Sequence, residues 1–422
     1  MVDVLLIGSG RSWELELTAS SVRAALPQAQ LHIIDEAFER CPADRINGLM
    51  HSLNVPYWLT VQAGTTLTGV IQDELERAIR TLERGERTGW IMLGDGQEAI
   101  VWKRECVRSG LTNGFAGRPF LPFPRWMLHD KQLQCARLGW HGLTLSGDGV
   151  RQGSKRERRD GTAEERELIA PILERAPTLW GGEQPDISVV LCTHNEADYI
   201  PWAIRSVMAQ TCPAWELIIV DDGSTDGTRE RIDALLADSR VFYVRMNANQ
   251  GKSSCLNRAL QDARGRWLLE LDADDWLAPG CLEALRTAAA SGRDDIAMWY
   301  GDCHEWAELS GLALRYKGVR RAPAAWDRRH FLEKAVPIAP RLYDTEAIRR
   351  LGGWTVEDPS NGRLYEDFWM IAKLADRFRL AYVDLPLYHR RLRSSSITQR
   401  HREAYPAWKQ WLEEKSGRKR SE

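Results

Sequence analysis

No stretch of this 422-residue chain approaches the roughly 20 consecutive apolar residues that a spanning helix needs, so no integral membrane segment is expected. The opening MVDVLLIGSGRSWELE has no basic region and only four consecutive apolar residues before Gly8, unlike a signal peptide. Charge of one sign is not in excess: 57 Lys and Arg face 59 Asp and Glu, a formal net charge of -2. That balance argues against nucleic acid or an anionic membrane as the main partner, with peripheral membrane contact left open. The eight cysteines (Cys41, Cys106, Cys135, Cys192, Cys212, Cys255, Cys281, Cys303) include no CxxC and no zinc-like pairing. Several fall in strand or helix patterns, where a small buried thiol is the plain reading. With no signal sequence, a cytoplasmic location is expected. A P-loop is also missing, because GKSS at 251–254 would require glycine where Met246 stands. The GSG at 8–10 is only part of a dinucleotide fingerprint, since Trp13 occupies the place of its third glycine.

What is present is a strand–helix rhythm. The length favours two domains, and 43% hydrophobic with 27% charged residues is the composition of a soluble globular protein. Residues 151–183, charged and then weakly helical, break the rhythm and read as a connector, with the run SKRERRD as its solvated part. From 184 to 400, apolar strands alternate with helical patterns, and 401–422 reads as a helical tail. The expectation is an α/β fold with a mostly parallel, doubly wound sheet. Three of its strands, ISVVLCTHNE, ELIIVDDGSTDGT and RWLLELDADDWLAP, end in polar or acidic residues. In an open α/β sheet such strand ends form the ligand crevice.

Residues 1–150 read as a worn copy of the second half. AQLHIIDE (29–36) parallels WELIIVDD (215–222), and YWLTVQAGTTL (57–67) parallels RWLLELDADDW (266–276). Asn47 and Asn257 stand 210 positions apart within INGLMHS and CLNRALQ, and RWMLHDKQLQCARLGW (125–140) is matched to RLYDTEAIRRLGGW (341–354). Two unrelated α/β domains with shared periodicity are the alternative. Where the second copy has Asp272-Ala273-Asp274-Asp275, the first has Gln62-Ala63-Gly64-Thr65, which supplies no anionic ligand; it is read as non-catalytic.

In the second half, Asp272 and Asp274 offer hard oxygen ligands to Mg²⁺ or Mn²⁺. Lys252 opens a helix after Asn249 and Gly251, a setting suited to an anionic nucleotide. Taken in order, CTHNEADYI, AIRSVMAQT, ELIIVDDGSTDGT, NQGKSSCLNRAL, GRWLLELDADD and YEDF resemble the family 2 glycosyltransferases, inverting enzymes of GT-A fold. The resemblance covers residues 185–400. It implies nucleotide contacts from Thr193, Asn195, Glu196, Asp221, Asp222, Asn249 and Lys252, and a metal bridging the diphosphate at Asp274 and Asp272, with Ala273 between them. It makes Asp367, beside Glu366, the general base. In the closing LYHRRLRSSSIT, Arg393 stands where some members have a metal-binding histidine; an arginine cannot ligate a cation but can clamp the diphosphate directly. His389 is an alternative ligand in another register, and His194 reads as a polar spacer. Of 18 tryptophans, Trp299, Trp306, Trp354 and Trp369 fall in the acceptor half.

The function implied is sugar transfer from a nucleotide-sugar, UDP first, to a carbohydrate or glycoconjugate acceptor in surface polysaccharide synthesis. Competing readings are a non-catalytic nucleotide- or glycan-binding scaffold, and a sugar-phosphate nucleotidyltransferase. Oligomeric state is not legible.

Overall fold

The structure, a computed structural model, describes residues 2–8, 12–35, 42–53, 55–94, 98–109, 114–116, 121–123, 126–152, 163–175, 182, 184–233, 235–236, 238–309, 314–335, 337–393 and 401–417. Cys41, residues 9–11, the run SKRERRD and the residues SSSIT lie outside the described residues. The chain forms two compact units, divided between Glu174 and Arg175.

The first unit runs β1(Asp3–Gly8), α1(Ser12–Ala25), β2(Leu31–Asp35), α2(Pro42–Ser52), β3(Tyr57–Gln62), β4(Thr65–Leu67), α3(Ile71–Arg84), β5(Thr88–Leu93), β6(Ala99–Lys103), α4(Arg104–Arg108), α5(Met127–Arg137), β7(His141–Leu145), β8(Val150–Gln152) and α6(Ala163–Glu174). Its main sheet has the order β2-β1-β3-β6-β5-β7, and β4 pairs with β8. The stretch expected as a connector is therefore partly built in. β8 takes its first residues, and α6 buries Ile169, Ile172 and Leu173 while Arg137 donates to the Leu173 carbonyl at 2.7 Å.

The second unit runs β9(Ile187–Thr193), α7(Ile200–Met208), β10(Trp215–Asp221), α8(Thr228–Asp233), β11(Val241–Arg245), α9(Lys252–Asp262), β12(Trp267–Asp272), β13(Trp276–Leu277), α10(Cys281–Ala290), β14(Ile296–Glu308), β15(Leu314–Arg320), α11(Arg328–Lys334), β16(Arg341–Asp344), α12(Thr345–Arg350), α13(Glu366–Ala375), β17(Arg379–Leu392) and, as the tail, α14(Tyr405–Gly417). The sheet order is β11-β10-β9-β12-β16-β14-β17-β13, with β15 beside β14. Strand periodicity explains the layers: Ile187, Val189 and Leu191 face a core with α7 and α10, while Val190 faces one with α9, α13 and α14. The sheet is thus covered on both faces, as its apolar strands require. The tail docks through Trp408 and Leu412, both buried. Among the described residues, no helix is long and apolar enough to cross a membrane.

The two sheets agree rung by rung. In the first, Ile7 sits between Ile34 and Gln62; in the second, Cys192 sits between Val220 and Asp272. Farther along, Ile100 on the antiparallel β6 faces Thr60 and Met92, as Arg341 on the antiparallel β16 faces Glu270 and Tyr300. β5 and β7 then pair in parallel, as β14 and β17 do. The separation of 210 positions that carries Asn47 onto Asn257 also carries Thr60 onto Glu270 and Gln62 onto Asp272. The first sheet lacks a counterpart of α8–β11, so β2 stands at its edge.

A local device is shared as well. Asn47 donates to the Phe115 carbonyl at 2.9 Å and accepts from its amide at 2.8 Å; Asn257 does the same with Trp354, both at 2.8 Å. Each aromatic follows a glycine, Gly114 or Gly353, where a Cβ would lie 2.3 Å from the asparagine oxygen. On these pairings β16 and Trp354 correspond to β6 and Phe115, while residues 127–137 form α5. Replacing Asn257 or Asn47 by Ala leaves an amide and a carbonyl unpaired. Each substitution is expected to cost about 1–3 kcal/mol, read as a lower denaturant midpoint for the unit that carries it.

Candidate active site

The carboxyl ends of β9, β10 and β12, with the starts of α9 and α13 and the end of β17, line one cleft of about 600 Å³. Eleven of the residues singled out in the sequence line it: Thr193, Glu196, Asp222, Asn249, Lys252, Asp272, Ala273, Asp274, Glu366, Asp367 and Arg393. Asn195 and Asp221 do not. Asp221 is fully buried, accepting from the Ser224 amide at 2.8 Å and the Tyr243 hydroxyl at 2.7 Å; it builds the turn after β10. Asn195, in the left-handed region at φ 56, joins that turn by its amide to Ser224 and its side-chain oxygen to the Thr225 amide. His194 bridges the Asp222 carbonyl and Asn195, as a spacer would. Asp222 does line the cleft. Its oxygens accept from the amides of Gln250 and Gly251 at 2.7 and 2.8 Å, holding the loop that feeds α9.

The acidic residues are interleaved with cations. The Lys252 ammonium lies 2.6 Å from Asp272 and 2.9 Å from Glu366, so it ties the DxD motif to the ED motif across the cleft. Burial opposes the charge on Lys252, but Asp272, Glu366 and Glu270 outweigh it and hold the lysine well above its usual range. Burial likewise works against the Asp272 carboxylate, yet Lys252 and Arg341 bring it down to about 2. Arg393 makes a two-pronged contact with Glu196, both prongs 3.0 Å, and reaches Asp274 at 2.7 Å. It also lies over the Tyr199 ring. Burial, with Asp274 nearby, pushes the Glu196 carboxyl up to about 7 in spite of Arg393.

Asp367 and Glu366 open α13 just after Tyr365, a non-glycine residue in the left-handed region at φ 61. Tyr365 is held there by its hydroxyl, which donates to the His401 carbonyl at 2.8 Å, and by packing on Tyr405 and Trp408. The left-handed turn swings the helix start into the cleft. Burial raises both carboxyls above their ordinary values. Beneath them, Arg341 donates to Glu270 at 2.8 Å and lies 3.6 Å from Asp367.

Other readings do not meet in the cleft. His389 is fully buried between the rings of Trp276 and His304, and its Nδ1 accepts from the Trp306 indole at 3.0 Å. Burial holds it well below the usual histidine range, so it is a neutral core residue, not a cation ligand. Trp299, Trp306 and Trp354 are core, and Trp369 packs on Trp411; the aromatics that line the cleft are Tyr365 and Phe368. The seven described cysteines are free. Among the described residues, no group of three or more His, Cys, Asp or Glu is placed to hold a metal. Arg341, Arg363, Arg390 and Arg391 also line the cleft and were not singled out in the sequence. Arginines scattered through a polar sequence give no signal until the fold gathers them.

Residues 188–309 match the family described as "Glycosyl transferase family 2". TuaG of Bacillus subtilis (strain 168), named for teichuronic acid biosynthesis, is 42% identical over 93 residues, 22% of this chain and 37% of that protein. The glycosyltransferase EpsH of the same organism is 26% identical over 228 residues, 52% of this chain and 64% of its own length. The succinoglycan biosynthesis protein ExoO of Rhizobium meliloti (strain 1021) is 34% identical over 131 residues, 31% of this chain and 36% of that protein. The chain thus spans from about a third to just under two thirds of these relatives' lengths. The matched residues lie in the unit whose mixed α/β sheet carries the acidic strand ends. Residues 188–309 of the second unit are thus similar to family 2 glycosyltransferases.

Proposed function

We propose that the second unit transfers a sugar from a nucleoside-diphosphate sugar to a hydroxyl of a carbohydrate or glycoconjugate acceptor, with inversion at the anomeric carbon. The observation that carries this reading is the meeting of DxD and ED carboxylates, joined by Lys252, in a single cleft at the strand ends. The Asp222 side and the Asn249–Gly251 loop receive the nucleotide. Arg393 and the start of α9 face the diphosphate. Asp367, on the opposite wall, takes the proton from the acceptor hydroxyl as its oxygen bonds to the anomeric carbon and the diphosphate departs. Lys252 and Arg393 meet the charge that develops on that leaving group.

A divalent cation is compatible with this donor set. Magnesium-like ions are held by one or two carboxylates and the substrate's phosphates, not by a protein cage, so the missing third ligand is no obstacle. Asp272 and Asp274 are the residues that would hold Mg²⁺ or Mn²⁺, which would supply charge neutralisation on the diphosphate. Because both carboxylates already have cationic partners, Arg393 must yield part of its contact with Asp274, and Glu196 stands ready as its other partner.

UDP is the first nucleotide to try, from the family resemblance, with dTDP and GDP beside it. The names of TuaG and ExoO support surface polysaccharide as the destination. The first unit is read as a degenerate, non-catalytic copy: the matched sheet rungs support duplication, and Gln62, Thr60 and Ile100 at the matched positions carry no charge. The experiment is donor turnover against a panel of nucleotide-sugars, with nucleoside diphosphate release as the readout. Turnover of at least one donor is expected.

A further inference from the structure

The glycosyl transfer proposed above leaves one charged pair without a role. Glu270 lies on β12, two residues before the first DxD aspartate, and Arg341 faces it across the β12–β16 ladder. Both are buried, at 2% and 4% exposure. One guanidinium nitrogen of Arg341 donates to Glu270 at 2.8 Å; the other donates to the Ile338 carbonyl at 2.6 Å and lies 3.6 Å from Asp367. A buried ion pair is a weak source of stability, because desolvating two charges offsets their attraction. The first unit shows the alternative within the same chain. On the matched rung, Thr60 and Ile100 fill the two positions, with the Thr60 hydroxyl donating to the Ile100 carbonyl and accepting from Trp102. The sheet therefore closes without the pair. It is present in the unit where a carboxylate stands over it.

We propose that Arg341, anchored by Glu270, is a positioning residue for Asp367: it fixes that carboxylate beneath the acceptor and keeps a positive charge beside it without neutralising it. This rests on the reading of Asp367 as the base. The shared geometry matters. With its close contact at 2.8 Å given to Glu270, Arg341 steadies Asp367 from the longer distance of 3.6 Å. The other charged or titratable groups around Asp367 are Glu366 on its own helix, Lys252 on α9, Glu270 and Asp272 on β12, Tyr343 on β16 and Tyr405 on α14. Burial is the main force raising the Asp367 carboxyl, and Arg341 is foremost among the groups that lower it.

The signs for two substitutions are opposite. Without Arg341, Asp367 binds its proton more tightly, so the acid limb of kcat/KM moves to higher pH. Without the Glu270 charge, Arg341 is released toward Asp367 and the limb moves to lower pH. An opposite charge at this range is worth about one unit or more, so the acid limb of Arg341→Met should lie about one pH unit or more above that of wild type, with about tenfold lost in kcat/KM below the limb and the rate recovered above it. Glu270→Gln should shift the limb the other way. The double substitution Glu270→Thr with Arg341→Ile copies the first unit's rung. It should melt at or above wild type and still lose rate as Arg341→Met does.

The experiment is the pH profile of donor turnover for wild type and these three variants, with melting temperature and nucleoside diphosphate affinity measured on each. Opposite limb shifts with affinity within about twofold of wild type bear the proposal out. Unmoved limbs in folded variants overturn it, as does a double variant with wild-type rate. Asp367→Asn separates this from the parent reading: if that variant keeps full turnover, the base assignment itself fails, whatever the Arg341 profiles show.

Discussion

Asp367→Asn is expected to lower kcat by about 10²–10⁴-fold, the usual worth of a general base, while nucleoside diphosphate affinity stays near wild type. The amide keeps the shape of the carboxylate and can still accept the amide hydrogen of Phe368, which the acid holds at 2.9 Å. What it loses is the capacity to take a proton. Burial raises the Asp367 carboxyl above the ordinary aspartate range, against the pull of Arg341 and Lys252, which makes it a better base. A steady-state comparison with saturating donor reads the loss in kcat directly. Asparagine in place of Asp367 with unchanged kcat would move the base elsewhere, and Glu366 is the next candidate.

The second large effect concerns Arg393. A nucleoside diphosphate at about 100 times its dissociation constant should stabilise wild type by roughly 2.7 kcal/mol, a rise of about 5–10 °C in the melting of the second unit. Arg393→Met should abolish most of that rise. The guanidinium is the cation that spans Glu196 and Asp274. Truncating one partner of a buried, hydrogen-bonded charge group typically costs 2–5 kcal/mol in binding, or at least about 30-fold in affinity. Arg393→Lys should rescue little, because an ammonium cannot fork to Glu196 and reach Asp274 at once. Thermal unfolding with and without Mn²⁺ gives the answer, and an undiminished shift in Arg393→Met would place the diphosphate away from β17.

Much of this was legible because the signals were local. The strands ending in CTHNE, DDGSTD and DADD gave the crevice, and their apolar periodicity gave the sheet. Asn47 and Asn257 stand out in the sequence because each sits in a short helical pattern at the same distance from the next strand. The place of Lys252 at a helix start points it toward the nucleotide; only the fold shows its ammonium lodged between Asp272 and Glu366. Asp221 and Asp222 look alike in sequence, yet strand alternation sends one into the turn and the other to the cleft. Glu270 and Arg341 leave only a faint signal in the sequence. Glutamate inside the apolar run WLLELD must find a buried partner, and the partner lies 71 positions on, beyond any local pattern.

The most direct measurement of the central claim is the anomeric configuration of the first sugar released, followed by proton NMR as concentrated enzyme turns over each donor of the panel with Mn²⁺. Water serves as the acceptor when no other is supplied, so the acceptor's identity is not needed. The account predicts that one donor is consumed, that its free sugar first appears with the anomeric configuration opposite to the donor's, and that Asp367→Asn all but stops it. Release with the donor's own configuration, or equal turnover by the variant, would contradict it.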